Sequence, residues 1–162
     1  MLLVACTAVV SAILSAAEQQ VPPVRTARPP DDFSSLAGRW ETDEILKQTE
    51  GVYLVRLLTI ETTSTEIRIS PGIVPTAPFR VDGSVTEGSD GLKRSALLVG
   101  DGIALTTRRQ RAVGGPVNIR TDLYRVTGDV LVIDSHLTVA RSDGTIVNIP
   151  GSRQVATYRR VR

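Results

Sequence analysis

Val130-Leu131-Val132-Ile133-Asp134-Ser135-His136-Leu137-Thr138-Val139-Ala140 is the stretch that decides the fold. Leu131, Ile133, Leu137 and Val139 fall on one parity, and Asp134, His136 and Thr138 on the other. A period of two with one polar face is the mark of a β-strand in a sheet that buries one side and wets the other. Gly128-Asp129 stands immediately before the stretch and Asp143-Gly144 just after it. Such pairs accept the positive φ of tight hairpin turns, so this strand joins its neighbours by short reversals.

The same grammar extends in both directions. Asp82-Gly83 and Asp101-Gly102 punctuate further β-rich segments, which recur about every eight to twelve residues. Val117-Asn118-Ile119-Arg120-Thr121-Asp122-Leu123 alternates with its apolar residues at odd positions. Val52 to Ile60 is apolar on both faces, broken mainly by Arg56. It reads as a strand covered on both sides, or one running from a core to an interface. Only Glu41 to Glu50 is rich in helix formers, and it has no apolar stripe. The pattern predicts an all-β antiparallel meander of about eight to ten strands, closed into a barrel or folded into a sandwich, since open edges invite aggregation.

The 162 residues allow one domain. Residues 1–17 hold no charge, and the 13-residue apolar run Leu2–Leu14 is too short to cross a bilayer core of about 30 Å. Ser15 and Ala17 suit cleavage after Ala17, so residues 1–17 read as a signal peptide and the product as secreted or periplasmic. Leu3-Val4-Ala5-Cys6 also matches a lipoprotein box, the alternative being a lipid anchor on Cys6, which is the one route to a membrane. Four prolines in residues 18–32 predict an extended tether, and a single all-β domain spans 33–162.

The reactive inventory is thin. Cys6 is the only cysteine and His136 the only histidine, which rules out a cysteine–histidine metal site or a disulfide in the mature chain. No metal, cofactor or catalytic group is expected. Asp134 and His136 share a strand face, but Ser135 points away from them, and the pair reads as solvent-facing. The carboxylate pairs Asp31/Asp32, Asp43/Glu44 and Glu87/Asp90 sit in turns or linkers where solvent keeps them ordinary. Of the 19 basic residues 17 are arginine, clustered at Arg108-Arg109-Gln110-Arg111 and Arg159-Arg160-Val161-Arg162. A net charge of +2 does not point to nucleic acid, so these are solvated edges or a local anion patch.

Gly38-Arg39-Trp40 resembles the Gly-x-Trp signature of lipocalin-like barrels, and Thr121-Asp122-Leu123-Tyr124 is similar to their Thr-Asp-Tyr element with one extra residue. Gly128-Asp129-Val130-Leu131-Val132-Ile133 resembles a hairpin found in secreted bacterial lipocalin-like domains of unknown function, and Gly100-Asp101-Gly102-Ile103 is a looser copy. The resemblance covers roughly residues 36–162. It implies structural roles for Gly38 and for Trp40 as a plug, with Arg159 or Arg160 packed over the ring, Arg159 being the first choice. No helix pattern follows the last strand, which departs from lipocalins.

Two functions follow as expectations. One is an exported, non-enzymatic barrel that holds a small apolar or amphipathic ligand against Leu54, Leu58, Leu105, Ile119, Leu131 and Ile133. The other is a cell-envelope structural or interaction module whose barrel is filled by those side chains together with Ile60, Leu97 and Ile103. A connected cavity above roughly 300 Å³ separates them.

Overall fold

A computed structural model describes residues 33–43, 54–71, 76–110 and 112–162. The expected signal peptide, tether and Cys6 lie outside the described residues, as do residues 44–50 of the helix-former segment and Val52 and Tyr53.

Among these residues a short 3-10 helix, Phe33–Leu36, leads into eleven strands. They are β1 (Gly38–Glu41), β2 (Leu57–Thr62), β3 (Glu66–Pro71), β4 (Phe79–Arg80), β5 (Thr86–Glu87), β6 (Lys93–Val99), β7 (Gly102–Gln110), β8 (Val117–Thr127), β9 (Val130–Ala140), β10 (Ile146–Asn148) and β11 (Gln154–Arg160). Every pairing is antiparallel, and the order β4-β3-β2-β1-β11-β9-β8-β7-β6-β5 makes one sheet with β10 added beside β9. This is the expected meander, in a single sheet rather than the two of a sandwich. The sheet curls until its ends nearly meet. At that seam the Thr86 hydroxyl donates to the Pro78 carbonyl at 2.8 Å, in place of a backbone ladder.

The apolar interior follows from alternation. Leu131, Ile133, Ser135 and Leu137 of β9 are buried, whereas His136 is exposed. Leu54, Leu58 and Ile60 are buried and Thr59 is half-buried. One end of the barrel is sealed by Trp40 and Tyr158, each fully buried, with Leu36 of the 3-10 helix beside them. The indole Nε1 donates to the Leu36 carbonyl at 2.9 Å, so the ring's one polar atom is satisfied as it is buried.

The arginine over the ring is Arg160, not Arg159. Ala156, Tyr158 and Arg160 alternate inward along β11, which turns Arg159 out to solvent. The Arg160 guanidinium carbon lies 4.2 Å from the indole centroid, and its nitrogens donate to the Ala37 and Ser35 carbonyls. It thereby ties the 3-10 helix to the last strand. Gly38 sits against it with φ of 136°, and a β-carbon there would stand 2.6 Å from an Arg160 nitrogen. Only glycine meets both conditions.

Candidate functional site

Pairing across β6 to β9 places inward-facing residues in rows, because partners in an antiparallel ladder share a face. Nearest the sealed end, Leu98, Ile103, Tyr124 and Ile133 stand in line. The next row is Ala96, Leu105, Asp122 and Ser135. Then come Arg94, Thr107, Arg120 and Leu137, followed by Arg109, Asn118 and Val139. The wall therefore passes from apolar to cationic over four rows.

This arrangement corrects the reading of β8. Its alternation is present, but the polar residues face in: Asn118, Arg120, Asp122 and Tyr124 line the interior, while Ile119 faces outward, half-buried. The cause is register. Ile119 pairs with Thr138, on the outer face of β9, and Tyr124 pairs with Ile133 on the inner one. Leu97 is similarly turned out, at 63% exposed, because its neighbour Ala96 takes the inner position opposite Leu105.

Between the arcs β2–β4 and β6–β8 lies a cavity of about 440 Å³. The first arc and the residues before it supply Leu54, Leu58, Ile69, Pro71 and Phe79. The second supplies Arg94, Thr107, Arg109, Asn118, Arg120 and Asp122. Of the expected lining, Leu54, Leu58 and Ile133 border this space, whereas Leu105 and Leu131 are packed into the core. A second cavity of about 230 Å³ lies towards the sealed end, beside Phe33, Leu36, Ile103 and Val126, and Tyr124 borders both.

The polar wall is built, not merely solvated. Arg94 is 4% exposed, and both terminal nitrogens of its guanidinium donate to the Asp90 carboxylate, with one also donating to the Leu92 carbonyl at 3.2 Å. That hydrogen bonding, with a second from the Leu92 amide, holds Asp90 at a pKa of about 2 despite some desolvation. Arg120 Nε donates to Asp122 Oδ1 at 2.8 Å, and Asp122 is buried. Burial pushes the Tyr124 phenol well above its ordinary value, aided by the Asp122 charge, so it stays neutral. Tyr158 donates its hydroxyl hydrogen to the Val55 carbonyl at 2.8 Å and so secures the segment before β2.

His136 and Asp134 lie on the outer face, away from this cavity. Asp134 is paired with Arg153 at 2.7 Å, which lowers its pKa. Among the described residues no group of three or more histidines, cysteines or carboxylates is placed to share a metal ion. No described helix is long and apolar enough to cross a membrane. Reading the chain for apolar lining missed the arginines and Asp122. Their signal was the even parity of β8, visible once β9 fixes which face is inside.

No protein-family model matches the chain, and no curated protein sequence matches it.

Proposed function

We propose that this protein is an exported, non-enzymatic lipocalin-like barrel that binds a small amphipathic molecule between its apolar and cationic arcs. The observation that carries this reading is the cavity of about 440 Å³, which falls within the range of small-molecule sites and has one arc apolar and the other polar. A filled barrel serving only as an envelope interaction module leaves no use for such a space. The position of His136 on the outer face also argues for binding without turnover.

The test is native mass spectrometry of the protein from its own host, before and after denaturation. A small molecule released on unfolding supports the reading. Protein that is empty, and that takes up no amphiphile in titration, overturns it in favour of the envelope module. The same spectrum reports cleavage after Ala17, or an acyl chain on Cys6, and so tests export directly.

A further inference from the structure

We infer that the cavity selects an amphiphile carrying one anionic head group, and that Arg109 is the residue that receives it. This deepens the binding reading and rests on it. Among the described residues three guanidiniums border the cavity, those of Arg94, Arg109 and Arg120. Two described carboxylates answer them: Asp90 holds Arg94, and Asp122 holds Arg120. Arg109 makes no hydrogen bond or ion pair with any described residue, although it stands on the same inward face, one row farther out than Thr107 and Arg120.

The two internal pairs matter as much as the third arginine. Each satisfies its charges within the protein, so neither needs a ligand. Deep in the wall, Asp122 would repel an anion. At the rim, Arg109 has no such neighbour among the described residues, and Asn118 beside it offers an amide donor from the adjacent strand. The geometry therefore orients the ligand with its tail towards Leu54 and Leu58 and its head at the outer row. The described wall carries one surplus positive charge, which suits a monoanion. A planar guanidinium accepts either a carboxylate or a phosphate ester, so both head groups belong to this chemistry.

The experiment is calorimetric titration of the full chain with decanoate, decyl phosphate and decanol, which share a tail and differ in the head. Decanoate is expected to bind roughly tenfold more tightly than decanol, the scale of one charge-assisted hydrogen bond at a partly exposed site. In Arg109→Ala that advantage disappears while decanol binding is retained, and Arg109→Lys restores part of it. Arg108→Ala removes the same charge from the outward-facing neighbour and leaves the preference intact. Whichever of decanoate and decyl phosphate binds more tightly identifies the head group. Equal binding of decanoate and decanol overturns the inference while leaving the cavity reading standing, as does equal loss in the Arg108 and Arg109 variants. Failure of all three probes to bind overturns the cavity reading itself.

Discussion

Both ends of this barrel use arginine, for opposite purposes. At the sealed end Arg160 lies over Trp40, donates to two backbone carbonyls and reaches Asp129 at 3.4 Å. Its donors go to groups that only folding brings together, more than 30 and more than 120 residues apart in the chain. At the open end Arg94 and Arg120 are also answered, by Asp90 and Asp122, but no described residue answers Arg109. The contrast separates an arginine that completes a fold from one that awaits a partner. Composition and charge clustering treat them alike; the face of the strand and the count of acceptors distinguish them.

The sharpest way to break the contrast is at the sealed end. Trp40→Ala removes a fully buried ring and should cost about 3–5 kcal/mol in chemical denaturation. A loss below about 1 kcal/mol would mean that the plug does not organise that end. Next is the middle of the polar wall. Asp122→Asn keeps the shape but strips Arg120 of its carboxylate, and should cost roughly 1–3 kcal/mol by the same measurement. A neutral result would show that the wall does not depend on the Asp122–Arg120 pair, and would weaken the contrast with Arg109.

A smaller effect is expected at the rim, and it depends on pH. Asp90 titrates near 2 when folded, against an ordinary value of 3.8, so its ionised form favours the folded state. Its contribution is complete above the ordinary value and is lost as pH falls from about 4 towards about 2. The thermal midpoint of the wild type should therefore fall more steeply over that window than that of Asp90→Asn. Parallel curves would show that Arg94 is held by something other than this carboxylate. The smallest effect belongs to Ser135, whose buried hydroxyl oxygen has no hydrogen-bond partner among the described residues. Ser135→Ala should be neutral, or stabilising by up to about 1 kcal/mol, because no bond is lost and an unsatisfied group is removed. A clear destabilisation would reveal a partner for that oxygen within the wall.

The strands were legible in the sequence because turn chemistry and alternation are local. The β9 alternation named its faces correctly, and the hairpins around it fall where Gly128-Asp129 and Asp143-Gly144 stand. What alternation cannot do is say which face is inside when the interior is itself polar. In β8 the usual rule, apolar inward, points the wrong way, since Arg120 and Asp122 neutralise each other within the wall and Ile119 is left outside. The same limit explains Arg159 and Arg160. Adjacent residues on a strand face opposite ways, and their identical chemistry offers nothing to choose between them. Tyr158 was the available clue: a buried tyrosine on the last strand sets the parity of the arginine two residues on.

The pairing of β1 with β11 has a consequence in time. That ladder alone makes the sheet continuous between its early and late halves, and it joins Trp40 to Arg160 across nearly the whole described chain. By contrast, β6 to β9 are successive hairpins linked by short turns. Local hairpins close cheaply, whereas a contact so distant in sequence must first overcome the entropy of a long loop. Folding should therefore proceed from the β6–β9 hairpins, with the indole buried last. In pulse-labelled hydrogen exchange the β8–β9 amides would gain protection before those of β1 and β11.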